Sequence, residues 1–281
     1  MRKIDLTVSE RDGGRRIRDV LRDFGVSSAL LTRLRQTENG ITVNGVFQRT
    51  VDTVQPGDIL TICIADKGTI PRPRPLPVTI CYEDEDLLVL NKPPQMPVHE
   101  SRNHIGDTLS NFVAWHTGGQ TAFRAVYRLD RDTSGLVVVA KHELAAAKLA
   151  GRIDKDYYAV VAGMMTEDGT VDLPIARCGD SIIKRRVDAD GEPAVTHYEV
   201  LSHRDGNTLL RLRLATGRTH QIRVHLSYLG HPLLGDTLYG NDAARIARQA
   251  LHCKDVYFTH PITGKAIHIS CDFPQDMKEI I

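Results

Sequence analysis

The sequence has 281 residues, which allows one large domain or a small module joined to a domain of about 200 residues. Its 41% hydrophobic and 25% charged residues are ordinary globular values, and they exclude collagen, coiled coil and wholesale disorder. With 36 Lys and Arg against 35 Asp and Glu, the net charge of +1 argues against a protein that binds nucleic acid over its whole surface.

The cysteines and the N-terminus indicate the compartment. The five cysteines are an odd number, lie far apart and show no CxxC spacing, so neither a disulfide framework nor a zinc site is expected. The first residues carry charges where a signal peptide would need an apolar core. No apolar run approaches the roughly 20 residues that span a bilayer. We therefore expect a cytoplasmic protein with no membrane segment and no metal site.

Residues 1–66 predict a small module of two helices and a few strands. Apolar residues at helical spacing predict a helix over residues 15–24, ended by Gly25, and a second helix that begins at Ser27 or Ser28. Alternating apolar residues around two Asn-Gly pairs predict a hairpin at 41–46, and a closing strand follows at 59–62. The polar faces of the helices carry several arginines, among them Arg15, Arg16, Arg33 and Arg35.

A proline-rich segment separates this module from the rest of the chain. Prolines at alternate positions from Pro71 to Pro77 favour an extended, semi-rigid connector. The predicted division is therefore a module at 1–66, a linker at 67–77 and a larger domain at 78–281.

Short β-type runs dominate the larger domain, with helical periodicity at 222–229 and again around 243–251. Leu210, Leu212 and Leu214 alternate with two arginines, as in a half-buried strand with a basic face. Strands in succession with scattered helices favour an α+β fold with a largely antiparallel sheet. The acidic run at 83–86 is interpreted as a solvated loop.

A first candidate site lies in the stretch 127–135, which leads directly into an apolar strand. Asp130 is placed there between Arg128 and Arg131, on a tight loop of polar residues that ends in glycine. Nearby positive charge favours the ionised carboxylate, which suits a nucleophile better than a general acid. From composition alone, a polar turn with surface ion pairs is the competing interpretation.

A second candidate site lies at 216–225, where a glycine-containing loop enters a helix. It holds Arg218, His220 and Arg223 and no acid, and cationic side chains at a helix N-terminus favour an anion. A capped helix with exposed basic residues is the alternative. Lys184, Arg185 and Arg186 form a third basic patch, interpreted as an exposed loop. No phosphate-binding loop, dinucleotide fingerprint or zinc-protease motif is present in the sequence, so no cofactor is expected.

Together these motifs resemble the RNA pseudouridine synthases of the RluA type. Residues 127–135 match all but the first position of the family motif His-Arg-Leu-Asp-x-x-Thr-Ser-Gly. Further matches lie at residues 91–99, 155–163, 191–198, 216–225 and 229–236. The module is similar to an S-four-type RNA-binding domain. The resemblance implies an α+β fold, with a mostly antiparallel-sheet pseudouridine synthase catalytic domain and a small N-terminal α/β RNA-binding domain.

The resemblance also implies roles for individual residues. Asp130 matches the catalytic aspartate, Tyr157 the tyrosine beside the target uracil, and Arg223 the arginine paired with the aspartate. Arg128 matches an arginine that can fill the gap left by an extruded base. The predicted RNA contacts are Arg128, Arg131, Arg218, His220 and Lys92 in the catalytic domain and Arg15, Arg16, Arg33 and Arg35 in the module. The chain departs from the family pattern at Tyr127, in place of His, and at Pro94 and Gln95, in place of Ala and Gly.

The implied activity is isomerisation of uridine to pseudouridine in RNA, with ribosomal RNA preferred over transfer RNA and the target base flipped out. Asp130 would act covalently on the ring or sugar, or remove a sugar proton. A cytoplasmic monomer without a small-molecule cofactor is expected. One alternative is a non-catalytic RNA-binding or ribosome-assembly protein that retains the fold, although Asp130, Tyr157 and Arg223 are intact. A glycosidase is the other, but that class needs a pair of carboxylates and only one stands out.

Overall fold

The computed structural model describes residues 1–66, 68–179, 181–240 and 245–281. The N-terminal part is a four-stranded antiparallel sheet in the order β1-β4-β2-β3, with two helices inserted after the first strand. Its elements are β1 (Arg2–Thr7), α1 (Ile17–Asp23), α2 (Ser28–Gln36), β2 (Ile41–Val43), β3 (Val46–Phe47) and β4 (Ile59–Ile64).

The apolar faces predicted for the two helices form a core of their own. Ile17, Leu21 and Leu34 are almost fully buried and pack in one cluster with Leu60 and Ile62 of β4. The Ser27 hydroxyl accepts a hydrogen bond of 3.1 Å from the backbone N–H of Leu30, which caps α2 as predicted. The predictions of both helices, the hairpin and the closing strand are confirmed.

The rest of the chain is built on a nine-stranded sheet. Its path is β5-β6-β7-β14-β8-β13-β12-β9, with β15 paired to β14 and a separate hairpin of β10 and β11. The elements are β5 (Thr79–Glu83), β6 (Leu87–Lys92), α3 (Leu109–His116), β7 (Ser134–Ala140), α4 (Glu143–Leu149), β8 (Asp154–Ala162), β9 (Gly169–Asp172), β10 (Ile175–Arg177), β11 (Arg185–Val187), β12 (Val195–Arg204), β13 (Asn207–Leu214), α5 (Gln221–Tyr228), β14 (Leu251–Thr259), β15 (Ala266–Ser270) and α6 (Gln275–Lys278).

Within the described residues, β7 and β14 form the one parallel pair of this sheet, and its other pairs are antiparallel. The prediction of an α+β fold with a largely antiparallel sheet is therefore confirmed. Strand β7 is buried along its whole length and β6 almost so, because helices and neighbouring strands cover the centre of the sheet. Leu210 and Leu212 of β13 point into this core, whereas Arg211 and Arg213 point away from it.

Two segments differ from the sequence prediction. The helix predicted around 243–251 is wrong for residues 245–251, which are irregular up to Leu251, where β14 begins; residues 243 and 244 lie outside the described residues. The backbone of Ala250 bonds to Leu234 and Val160, so this stretch continues the sheet instead of coiling. Between β4 and β5 the described residues form no helix or strand, and Lys67 at the start of the predicted linker is not among them.

The interpretation of the acidic run at 83–86 as a solvated loop holds for Glu83 and Glu85, which are exposed, and is wrong for Asp86. Asp86 is 3% exposed and accepts hydrogen bonds from Arg2 of β1 (2.7 Å) and His142 (2.9 Å). Leu144 of α4 packs into the core of the N-terminal part. Arg33 pairs with Glu143 across the same junction. Asp86 therefore joins the two parts of the chain, which is why it is buried.

The described residues include one group with metal-ligating side chains close together, Asp84, Asp86 and His260. The Nδ1 atom of His260 accepts the backbone N–H groups of Ile262 and Thr263, at 3.2 and 3.0 Å. Its Nε2 atom therefore carries the hydrogen and donates to Asp84 at 2.9 Å. Hydrogen bonding accounts for this group without a metal ion. No described helix has the length and apolar character needed to cross a bilayer.

Candidate active site

The loop that carries Asp130 and the start of α5 enclose a cavity of about 130 Å³. The side chains that line it include Arg128, Asp130, Tyr157, Arg218, His220 and Arg223. These residues come from three separate segments of the sequence. The fold thus brings together the two clusters that were singled out separately as candidate sites.

The geometry of the Asp130 loop explains the glycine that follows it. Gly135 has a φ of 115° and lies beside the backbone of Cys253, its partner in the parallel pairing of β7 and β14. A Cβ atom at this position would lie 2.2 Å from the carbonyl oxygen of Cys253. Only glycine fits, because both the backbone conformation and the space exclude a side chain. The backbone N–H of Thr133 bonds to the carbonyl of Asp130 at 3.1 Å and closes the turn.

Two buried basic side chains, those of Lys92 and Arg248, donate hydrogen bonds to the backbone of this loop. The Nζ atom of Lys92 donates to the carbonyl of Arg131 at 2.9 Å and to those of Pro93 and Met96 at 2.8 Å each. Arg248 donates to the carbonyl of Asp132 at 3.1 Å. Both cations therefore bond to backbone oxygens of the loop and hold it in place.

The position of Lys92 corrects the prediction that it contacts RNA. Its side chain is 0% exposed, and all three of its donors point to backbone carbonyls. Burial lowers the pKa of Lys92 to about 7, while the carboxylates of Asp132 and Asp130 act in the opposite direction. The residue type was identified from the sequence, but its environment is the interior of the protein.

Arg223 links the Asp130 carboxylate to a second one. Its Nη1 atom donates to Asp130 at 3.1 Å, and its Nε and Nη2 atoms bind Asp236 at 2.7 and 2.9 Å. Burial would lower the pKa of Arg223, but the carboxylates of Asp236 and Asp130 outweigh it, and the pKa lies above its usual value. The aromatic ring of Tyr239 lies 5.1 Å from the guanidinium carbon. Arg223 is thus fixed on Asp236 and offers one donor to Asp130.

His220 faces Asp130 from the start of α5. It has a φ of 60°, in the left-handed region, and its Nε2 atom lies 3.8 Å from the Asp130 carboxylate. Its Nδ1 atom is 2.9 Å from the hydroxyl of Tyr239, and that hydroxyl accepts the backbone N–H of Arg185 at 2.8 Å. The Tyr239 hydroxyl is therefore assigned as the donor of a hydrogen bond to Nδ1. This leaves the hydrogen of the neutral imidazole on Nε2, toward the cavity. Burial lowers the pKa of His220, and Asp130 acts against that shift.

Tyr157 lies in the middle of β8 and is 6% exposed. Burial raises the pKa of its hydroxyl well above the usual value, with Cys253 and Asp130 adding to the shift. The phenol is therefore neutral, and its ring borders the same cavity as Asp130.

The arginines next to Asp130 in the sequence point elsewhere. Arg131 pairs with Asp132 at 2.9 Å, and Arg128 donates to the Thr219 hydroxyl at 3.3 Å from an exposed position. The cation that contacts Asp130 comes from 93 residues away. Arg218 is exposed at the cavity rim and pairs with Glu192.

The four arginines predicted in the N-terminal part fall into two groups. Arg15 pairs with Asp12 at 2.6 Å and with Asp23 at 2.7 Å, and Arg33 pairs with Glu143 across the junction. Arg16 and Arg35 are exposed and form no ion pair with any described residue. Arg16 and Arg35 can therefore form an ion pair with a ligand, whereas Arg15 and Arg33 are already paired with carboxylates of the protein.

Sequence reasoning missed Asp236, Tyr239 and Arg248. Asp236 lies in the matched segment 229–236, so the motif contained a signal for it, whereas the contacts of the other two depend on the fold. The structure also describes Tyr127 and Gln95, two of the residues that depart from the family pattern. The Tyr127 hydroxyl donates to the carbonyl of Leu136 at 2.9 Å and ties the loop to β7. Gln95 has a φ of 61°, the left-handed conformation that favours the glycine usual at that position.

Comparison with known proteins gives a consistent result. Residues 86–228 match the profile of the family described as RNA pseudouridylate synthase. An uncharacterized RNA pseudouridine synthase of Bacillus subtilis, YjbO, is 41% identical over 94% of this chain and 98% of its own length. Ribosomal large subunit pseudouridine synthase D of Vibrio cholerae is 38% identical over 99% of this chain and 94% of its own length.

Among solved structures, the chain is similar to human RNA pseudouridylate synthase domain containing 1. The TM-score is 0.60 at 27% identity, over 74% of this chain and 86% of the human one. Human RNA pseudouridylate synthase domain containing 4 gives a TM-score of 0.58 at 25% identity, over 71% and 90% of the two chains.

Proposed function

The chain belongs to the RNA pseudouridylate synthase family and is an enzyme that isomerises uridine in RNA, and we propose that it acts on ribosomal RNA with Asp130 as its catalytic carboxylate. The preference for ribosomal RNA is supported by the relative from Vibrio cholerae, whose name states that substrate. The family membership argues against both earlier alternatives, a non-catalytic RNA-binding protein and a glycosidase.

One observation carries the proposed role of Asp130. Its carboxylate borders the cavity and receives a single hydrogen bond, from Arg223 at 3.1 Å, among the described side chains. A carboxylate oxygen can accept more than this, so acceptor capacity remains on the side of the cavity. Arg223 orients the carboxylate, while Asp236 keeps Arg223 in place.

The proposed reaction begins when the bond between the sugar C1′ and the uracil N1 breaks. The uracil rotates within the cavity, a bond forms between C1′ and C5, N1 gains a proton, and the proton on C5 is removed. Asp130 acts in the first step, either as a nucleophile on the sugar or ring, or as a base on the sugar. No redox change occurs and the detached uracil is rejoined to the same sugar, so the reaction itself requires no cofactor.

Access to a uridine in folded RNA requires that its base leave the stack, at a cost of a few kcal/mol. The ring of Tyr157 offers the extruded uracil an apolar surface beside Asp130. Arg128 is exposed at the rim and held by one bond of 3.3 Å to Thr219, so it can exchange that contact for the gap in the RNA. Arg131, Arg218 and His220 line or flank the same opening and are proposed to contact the neighbouring nucleotides.

We further propose that residues 1–66 are an S-four-type RNA-binding module, that 67–77 link it to the catalytic domain, and that 78–281 form that domain. Arg16 and Arg35 are the module's proposed phosphate contacts, because both are exposed and lack an ion pair among the described residues. Arg15 and Arg33 instead stabilise the module and its junction. An enzyme of ribosomal RNA is expected in the cytoplasm, and we propose that it acts as a monomer.

The test is to map pseudouridines by carbodiimide labelling and primer extension in ribosomal and transfer RNA. The cells compared carry the wild-type gene, Asp130→Asn, or Asp132→Asn, a matched control on the same loop. We expect Asp130→Asn to remove at least one ribosomal site that Asp132→Asn retains. If only transfer RNA sites disappear, the ribosomal preference is wrong and the role of Asp130 stands. If Asp130→Asn retains every site, the role of Asp130 is wrong.

A further inference from the structure

A small hairpin beside the active site ends in two exposed isoleucines. Strands β10 and β11 form it as a two-stranded sheet separate from the main one. Ile182 is 84% exposed and Ile183 is 63% exposed, so two adjacent large apolar side chains face water. Scattered apolar residues are normal on a surface, but adjacent ones on a projecting tip indicate a contact with a partner.

The tip, residues 181–184, is internally ordered. The guanidinium of Arg185 donates from Nη1 to the carbonyls of Ile182 (3.3 Å), Ile183 (3.0 Å) and Lys184 (3.2 Å). The Ser181 hydroxyl accepts the backbone N–H groups of Ile183 at 3.2 Å and Lys184 at 2.9 Å. The backbone carbonyls of Ile182, Ile183 and Lys184 are thus bonded within the hairpin, and the two isoleucine side chains are exposed.

The base of the hairpin is attached to the catalytic cluster. The backbone N–H of Arg185 donates to the Tyr239 hydroxyl at 2.8 Å, and that hydroxyl bonds to His220 at 2.9 Å. The Nε2 atom of His220 is 3.8 Å from Asp130. Two hydrogen bonds through Tyr239 therefore link the base of the hairpin to His220, which faces the Asp130 carboxylate.

The charge of the hairpin complements a polyanion. Residues 175–187 contain four basic residues and one acidic residue, and Arg177 and Lys184 are exposed. Of the acids that follow, Asp188 binds Arg186 and Glu192 binds Arg218, and Asp190 remains exposed. An apolar tip on a basic stem suits RNA, which offers flat base surfaces between phosphates.

From these observations we propose that the tip is a wedge that inserts Ile182 and Ile183 against the bases next to the target uridine. Apolar side chains inserted between base steps open stacked nucleic acids in this way. The wedge would replace stacking lost when the uridine leaves the helix, while Arg177 and Lys184 bind adjacent phosphates. This inference rests on the proposed function, because it requires RNA in the cavity beside Asp130.

The test compares the double variant Ile182→Ser, Ile183→Ser with the wild-type enzyme in single-turnover reactions. One substrate is protein-free ribosomal RNA from a strain that lacks the gene. The others are two short hairpin RNAs around the uridine mapped there, one with the uridine paired in a stem and one with it bulged out. We expect the double variant to be slower by about tenfold on the paired RNA, because base extrusion costs a few kcal/mol. On the bulged RNA, where the base is already free, we expect near wild-type rates.

Two controls accompany the test. Met164→Ser removes an apolar side chain of similar exposure, 52%, beyond the end of β8. The pair Ile182→Leu, Ile183→Leu keeps an apolar tip. Both control variants should react like the wild type.

Equal slowing on paired and bulged RNA, or no slowing at all, would overturn the wedge. The same rates are measured on ribosomal particles from that strain, and slowing seen only there would overturn the wedge in favour of a protein contact. A wild-type enzyme inactive on ribosomal RNA would overturn the proposed function, and the wedge with it.

Discussion

Two buried charge clusters in the larger part of the chain have the same arrangement with the signs of the charges exchanged. Arg223 lies between the carboxylates of Asp130 and Asp236, whereas Asp156 of β8 lies between Arg211 and Arg213 of β13. The central residue is buried in both, at 7% exposure for Arg223 and 1% for Asp156. They differ in how completely the carboxylates are occupied.

Asp156 receives four contacts from its two arginines, at 2.5 to 3.2 Å, and both of its oxygens are used. Asp236 is likewise bound at both oxygens. Asp130 has a single bond to Arg223 and borders a cavity. A fully paired carboxylate stabilises the fold, and a partly paired one at a cavity remains available to react.

The largest effect is expected from Asp130→Asn, because the amide keeps the shape of the side chain but can neither attack nor accept a proton. The single-turnover rate of pseudouridine formation should fall by about a thousandfold or more. The comparison variant is Asp156→Asn, which should retain the rate within about threefold, since its cluster does not border the cavity. A similar loss of rate in both variants would remove the distinction between reacting and structural carboxylates.

Asp236→Asn should affect both stability and rate. It leaves Arg223 buried with one carboxylate in place of two, and the broken ion pair should lower the free energy of unfolding by about 3 kcal/mol. The rate should fall roughly ten- to a hundredfold, since Arg223 then orients Asp130 less well. Urea unfolding and single-turnover kinetics measure the two effects. A stability loss with an unchanged rate would show that Asp236 does not position Arg223 for the reaction.

Asp156→Asn should reduce stability by about 2 kcal/mol at neutral pH, as expected for hydrogen bonds to a charged group. Burial alone would raise the pKa of Asp156, but the bonds from Arg213 and Arg211 outweigh it, so the pKa is lowered. The ionised form is therefore favoured by folding. This stabilisation is complete above the usual Asp pKa of about 4 and is lost as the pH falls through the lowered pKa. Urea unfolding from pH 6 down to about 2.5 should show the difference between the variant and the wild type shrinking. A constant difference would contradict the pairing.

The smallest effect concerns the arginines of residues 1–66. Arg16→Ala with Arg35→Ala should weaken RNA binding several-fold and reduce the slope of log K against log salt by about 2, one for each lost phosphate contact. Arg15→Ala, which removes an arginine already paired with Asp12 and Asp23, should leave that slope unchanged. Titrations of a ribosomal RNA fragment at several salt concentrations give both quantities. An equal change in slope for Arg15→Ala would contradict the division into paired and available charges.

The sequence was sufficient for the helices and strands of residues 1–66 and for the motif around Asp130, because periodicity and turn chemistry are local signals. The contact between Asp130 and Arg223 spans 93 residues and was expected only from the family resemblance. Exposure could not be predicted for charged residues. Lys92 looks like any surface lysine in the sequence, yet it is buried because carbonyls from two loops converge on it.

The acidic run at 83–86 shows the same limit. Four consecutive acids are normally solvated, but Asp86 is buried because Arg2 and His142 meet it from distant parts of the chain. The helix expected around 243–251 failed for a related reason. Its apolar spacing suits a helix, but the backbone of Ala250 is bonded to Val160 of β8 and to Leu234 in a turn. Tertiary contacts decided both cases, and the sequence contains no local sign of either.

The hydrogen bonds that hold the Asp130 loop have a consequence for folding kinetics. Its bonds join residues that are 39, 93 and 116 positions apart, through Lys92, Arg223 and Arg248. Contacts at such separations form slowly, because a long segment must be ordered before any of them is gained. The strands can therefore pair while the loop is still unrestrained, and catalytic competence should be among the last properties that a newly made chain acquires.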